Sequence, residues 1–398
     1  MKKLLACLAV LPACAFAQQV VKPPIAQYWM SIETAAGMSM PGMGAMMGGM
    51  MGGQSSSGRR MLLQLGSQQS ASDPRAAHEI PPGMNMGPQL PLVTPRSEPV
   101  RRGEPGERGE RERPRGRMLV YWGCGDAVRA GQPVVIDFAK LAEGAVPPGF
   151  SGRRIAQATG PAYGRSRTYG DWPNAEDSKP VPDGASLRGS HVVKGNYAPE
   201  IRFPLERDFM DRVSISAAGN RVSWGAVGGA TGYFATVMGG RGQDEVVFWS
   251  SSETQEWMGS GLMDWIAPGE VARLVREKVV LAPQVTDCTV PGEVIQKVGT
   301  GMMQFIAYGD EVNLAHPPRP QDPKVAWEPQ WAVKARFKST ASLLVGEGAE
   351  ERGSRRGARD SRDAPPSQDA PSGERSQTPS APDPVKEGVQ ILRGIFGR

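Results

Sequence analysis

The chain has 398 residues, with 46 Lys and Arg against 41 Asp and Glu, and a formal net charge of +5. Its 50 glycines and 36 prolines make about 22% of the chain, against ~12% in average usage, so the ordered core is smaller than the length allows. The arginine-rich stretches also carry acids and lack interleaved aromatics, which argues against nucleic acid as a partner, and no apolar run approaches the roughly 20 residues of a membrane-spanning helix.

Taken in chain order, the first element is a leader. Lys2 and Lys3 precede a short apolar run at 4–11, and Ala15-Phe16-Ala17 places small residues where a signal peptidase reads them. Residues 1–17 therefore read as a secretory signal peptide cut before Gln18. Leu11-Pro12-Ala13-Cys14 resembles a bacterial lipobox, so lipidation at Cys14 is the alternative. Both routes lead to the periplasm or cell envelope. With Cys7 and Cys14 inside the leader, Cys124 and Cys288 remain, and an even pair in an oxidising compartment is most simply a disulfide. Two separately buried thiols are the other reading.

Residues 18–34 and 59–143 predict an N-terminal β unit. Its strand-like runs, at 28–32, 61–65, 118–122 and 134–138, are aromatic or aliphatic and bounded by turn formers. A Gly/Met-rich insertion at 35–58 and a charged linker at 95–117 interrupt it, and both have the composition of disorder. A loop-rich connector at 144–209 follows, within which 144–188 reads as one long ordered loop and 192–193 and 201–205 as further strand candidates. Residues 210–345 carry six strand-like runs. In the last, Trp331, Val333, Ala335 and Phe337 alternate with Ala332, Lys334 and Arg336, the period of a half-buried strand with its charged face in water. One helix is predicted over 268–279. Pro268 suits its first turn, Val271, Leu274, Val275 and Val279 form its apolar stripe, and Arg273 with Glu277 forms an i, i+4 pair on the wet side. Residues 346–383 read as a disordered tether. Residues 384–398 form an amphipathic segment with Val385, Val389, Leu392 and Phe396 on one face, suited to dock on its own fold, a partner or a membrane surface.

Val222, Trp224, Tyr233 and Val237, with a Gly/Ala/Thr turn at 225–232, resemble the second and third strands of a fibronectin type III or related immunoglobulin-like domain. The resemblance implies a β-sandwich over about 210–345, with Trp224, Tyr233, Val237 and Trp331 in its core. The helix near 270 and the segment around Cys288 depart from that pattern, and Phe305-Ile306-Ala307-Tyr308 only approximates the tyrosine motif expected late in the domain. The whole chain is also similar to a group of exported proteobacterial proteins. The expected fold is thus mainly β: a sandwich, an N-terminal β unit, one short helix and long disordered linkers.

Candidate chemistry is sparse. Met38, Met40, Met43, Met46, Met47, Met50 and Met51 offer soft thioethers suited to Cu(I), set in what is otherwise a low-complexity insertion. His78, His191 and His316 are far apart, with no zinc spacing, and read as isolated surface or core residues. Asp171, Asn174, Glu176 and Asp177 gather oxygens without the spacing of a calcium loop, as in an Asx/Pro turn pinned by Trp172. No P-loop, dinucleotide fingerprint or nucleophile elbow occurs. The sequence therefore points to an exported, non-enzymatic envelope protein that binds or scaffolds a protein or envelope polymer, with no cofactor. A copper-handling protein using 38–51 is the alternative, and an envelope polymer hydrolase the second alternative.

Overall fold

A computed structural model describes residues 19–37, 57–95, 115–147, 155–242, 244–256 and 261–346. The leader, Cys14, the methionine cluster, most of the charged linker, the tether and the C-terminal segment lie outside the described residues. The chain is mainly β. Among the described residues, sixteen strands form sheets of nine, four and three strands.

In the nine-stranded sheet the order is β6 (Val134–Asp137), β5 (Arg117–Trp122), β13 (Glu245–Ser250), β12 (Gly232–Gly239), β15 (Thr300–His316), β16 (Trp331–Gly346), β1 (Ala26–Gly37), β2 (Gly58–Ser67) and β7 (Thr168–Trp172). Neighbours are antiparallel except at β1–β16 and β13–β5, which run parallel. Parallel pairing joins strands distant in sequence, so strands from 18–143 and from 210–345 lie in one sheet. A bulge between Tyr308 and Glu311 lets β15 follow β16 along nearly its whole length.

One face of this sheet is largely apolar. The alternating residues Tyr28, Met30 and Ile32 of β1, Leu63 and Leu65 of β2, Val333 and Phe337 of β16, and Tyr233 and Val237 of β12 all point into the main core. Two smaller sheets cover it. The four-stranded sheet has the order β4 (Gln89–Leu92), β3 (Ala76–Glu79), β8 (Gly189–Gly195), β9 (Ile201–Leu205), and the three-stranded sheet β10 (Ile215–Ala218), β11 (Arg221–Trp224), β14 (Asp287–Thr289). Trp224 on β11 meets Tyr233 on β12 with ring centroids 5.8 Å apart, and both are buried, as are Val237 and Trp331. Cys124, just beyond β5, is disulfide-bonded to Cys288 on β14 with a Cα–Cα distance of 5.3 Å, tying the large sheet to the small one.

Three α-helices occur among the described residues, where the sequence predicts one. α1 (Phe138–Ala142) begins where the run at 134–138 was expected to end as strand, because Asp137 caps it by accepting from the Ala139 and Lys140 amides. α2 (Pro268–Arg276) is the predicted helix, shortened at its end by the left-handed Lys278 (φ 59°). Its Val271 and Leu274 pack on Phe234, Ile306 and Tyr308 of the sheet's other face, and Arg273 pairs with both Glu270 and Glu277. α3 (Gly292–Val298) buries Val294 and Val298 in the main core, against β13 and β16. The stretch 144–188, expected as loop, contributes β7, an edge strand paired with β2 by only five residues. Insertion 35–58 is likewise entered by ordered strand at both ends, through Gly37 and Gly58.

Candidate binding site

The second face of the large sheet carries charge at its centre. The parallel register sets Trp29 beside Lys334, Ser31 beside Arg336 and Glu33 beside Lys338. The sequence predicts this face of β16 in water. Instead the segment at 261–267 lies over it and lowers Trp265 onto the cations. The Arg336 guanidinium sits 4.9 Å from the Trp29 ring and 4.8 Å from the Trp265 ring, and the Lys338 ammonium 3.8 Å from Trp265. Indole faces attract cations, so two tryptophans offset part of the desolvation that the expectation assumed would keep these groups wet. Arg336 Nε donates to Ser31 Oγ at 2.8 Å, and Lys338, 7% exposed, donates to the Met263 carbonyl at 3.4 Å with Glu33 at 3.9 Å. Burial pulls the Lys338 ammonium below its ordinary pKa, opposed by the Glu33 and Asp264 carboxylates. Glu33 accepts from the Thr340 hydroxyl at 2.6 Å, and Lys334 pairs with Glu311. This layer is closed, with the buried Trp265 Nε1–H left without a hydrogen-bond partner among the described residues.

Beside it the surface opens into a cleft of about 450 Å³ between the start of β1, the end of β2 and the segment at 159–167. Gly160 forms the shared wall: a Cβ there would stand 2.6 Å from the Trp29 ring, so only glycine lets the backbone lie on the indole. Gly66 of β2 similarly abuts Ser166 and Pro161, where a Cβ would meet Ser166 Oγ at 2.3 Å. A turn fixes the far wall, with the Arg165 and Ser166 amides both donating to the Ala162 carbonyl and the Arg167 amide to the Ser67 carbonyl. Arg165 and Arg167 thus stand over the cleft, together with Gln27, Thr159 and Ser166.

A third polar group lies between the nine- and four-stranded sheets. His78 and His191, on adjacent strands β3 and β8, are both fully buried, and the His191 ring stacks on Phe203 at 5.1 Å. His191 Nε2 is 2.7 Å from the Leu187 carbonyl, which can only accept. That fixes the remaining protons if both rings are neutral: His78 Nε2–H donates to His191 Nδ1 at 2.9 Å, and the Tyr28 hydroxyl donates to His78 Nδ1 at 2.8 Å. Burial lowers both imidazoles below their ordinary range, more so for His78, where His191 adds to the effect, and burial raises the Tyr28 phenol.

The structure therefore brings His78 and His191 together although they are 113 residues apart in sequence, and leaves His316 stacked on Trp331 with ring centroids 5.6 Å apart. Asn174 fills the turn after β7, donating to the Asp171 and Pro91 carbonyls and accepting from the Glu176 and Asp177 amides, while Asp177 pairs with Lys179. Those oxygens serve the turn. Among the described residues no group of three or more His, Cys, Asp or Glu side chains is placed to hold a metal ion. The cleft was not legible in sequence: its arginines lie in a stretch read as loop, and its other wall is formed by strands roughly a hundred residues earlier. An alternating Arg-Ser-Arg next to a strand was the only signal. Compared with protein-family models, curated proteins and solved structures, the chain matches nothing.

Proposed function

We propose that the protein is an exported, non-enzymatic component of the cell envelope that binds or scaffolds another molecule through the cleft beside β1 and β2. The observation that carries this reading is the covalent tie between Cys124 and Cys288, which spans 164 residues and links two sheets. Such a cross-link persists in an oxidising compartment and is rare in reducing ones, which agrees with the leader-like residues 1–17. A rigid β scaffold with an open, polar-lined cleft at one end suits recognition. We further read residues 210–345 as a relative of fibronectin type III domains; the packing of Trp224 against Tyr233 between facing sheets supports this. The test is co-sedimentation of the oxidised mature chain, residues 18–398, with purified cell-wall polymer and with envelope membranes. Recovery in either pellet supports the binding role, and a chain that stays in both supernatants refutes it.

A further inference from the structure

We propose that the cleft takes the oxyanion of a hydroxylated ligand, a carboxylate or a phosphate, clamped between the guanidinium groups of Arg165 and Arg167. The proposal rests on the binding role above and names its chemistry.

The first support is charge. The cleft is lined by two arginines and by no acid. Arginines elsewhere on the surface commonly sit on carboxylates, as Arg117 does on Glu245, Arg129 on Glu253 and Arg221 on Asp287. Neither Arg165 nor Arg167 has a carboxylate partner among the described residues. Two cations that line one cleft without an acid among them make it positive, and an anion entering it is attracted to both. A guanidinium presents paired N–H donors that match carboxylate and phosphate oxygens.

The second support is the stock of unused neutral groups. The Gln27 carboxamide and the Thr159 and Ser166 hydroxyls line the same space, and no hydrogen bond from these side chains is made to a described residue. They can donate to or accept from hydroxyl groups on the body of the ligand. Ile25, 37% exposed, adds an apolar contact on the β1 side.

The third support is pre-organisation. Backbone bonds of 3.0–3.1 Å hold the turn bearing both arginines against β2, and the near-contacts at Gly66 and Gly160 leave the walls little room to shift. The backbone positions of the clamp are therefore set before any ligand arrives, which reduces the ordering cost of binding. The cleft volume, about 450 Å³, accommodates one or two sugar-sized units.

The experiment titrates the oxidised mature chain, isotopically labelled, with glucuronate, with glycerol 3-phosphate and with uncharged glucose, following amide resonances by NMR. The proposal expects at least one anion to move the Gly66, Gly160 and Ser166 signals, with glucose inert and binding weakened by added salt. A response to glucuronate alone assigns the carboxylate source, and one to glycerol 3-phosphate alone the phosphate source. In R165Q/R167Q the anion affinity should fall about tenfold or more; R165Q alone, at an exposed position, gives the same reading if the double variant fails to fold. No response to either anion, an equal response to glucose, or an unchanged affinity in a folded variant overturns the proposal. Co-sedimentation that persists in R165Q/R167Q refutes the oxyanion clamp while the binding role stands. An anion response in a chain that never co-sediments refutes the binding role alone.

Discussion

Lowering the pH from 8 to 5.5 should cost the fold up to about 3 kcal/mol through His78 and His191 alone. In the folded chain each nitrogen of the pair is committed: Leu187 O accepts from His191, His191 from His78, and His78 from the Tyr28 hydroxyl. A further proton on either ring would oppose a donor already pointing at it, inside a site that excludes water. Burial accordingly depresses both pKa values. In the unfolded chain each imidazole titrates near 6.5, so below that pH the unfolded state binds protons that the folded state refuses. Stability is thus fully present above about pH 6.5. It falls as the pH drops toward the folded pKa values, with a limiting slope of about 1.4 kcal/mol per pH unit for each histidine. One unit below 6.5 the two together cost up to about 3 kcal/mol, the limit reached when neither ring protonates in the folded chain. Urea unfolding at a series of pH values measures this directly. The variant H78Q/H191Q should be less stable at pH 8 and should lose most of the slope between pH 6.5 and 5.5. A wild-type protein whose stability is flat across that window, or a variant that keeps the full slope, would refute the neutral hydrogen-bonded pair.

Three further outcomes follow from particular contacts. Reducing the Cys124–Cys288 bridge opens a loop of 164 residues and should cost up to about 5 kcal/mol in the chain-entropy model, seen as a lower urea midpoint in reductant and reproduced in C124S/C288S. Gly160→Ala drives a methyl group into the Trp29 ring and should destabilise by roughly 1–3 kcal/mol, with a change in tryptophan fluorescence; a silent substitution would mean that the wall at 159–161 does not rest on the indole. In the charged layer, Glu33→Gln removes the ion-pair partner of the buried Lys338, leaving only the Asp264 charge to offset it, and should cost about 3 kcal/mol, whereas Lys338→Met removes the buried charge and should cost less; equal losses on chemical unfolding would contradict that account.

Sequence periodicity located much of the fold, and for an identifiable reason. Strands such as β16 alternate Trp331, Val333, Ala335 and Phe337 against polar neighbours, so their inward face is visible without a structure. Pairing partners are not visible in this way. The parallel joins β1–β16 and β5–β13 link segments about 305 and 128 residues apart, and nothing local records them. The same distance hid the functional geometry. His78 and His191 each look solitary until β3 pairs with β8. Lys338 and Arg336 look solvated until Trp265, from a segment with no regular structure of its own, lies across them. Arg165 and Arg167 look like loop charges until β7 docks on β2 and sets them over a cleft. The cysteine pair was legible because only two cysteines lie outside residues 1–17, and the structure joins Cys124 to Cys288.

Recovering the protein from fractionated cells of its own source and mapping its N-terminus and thiols tests the account most directly. Material from the envelope fractions that begins at Gln18 and carries Cys124 joined to Cys288 is the predicted result. Cytosolic material retaining Met1, with both cysteines free to alkylate, would contradict it.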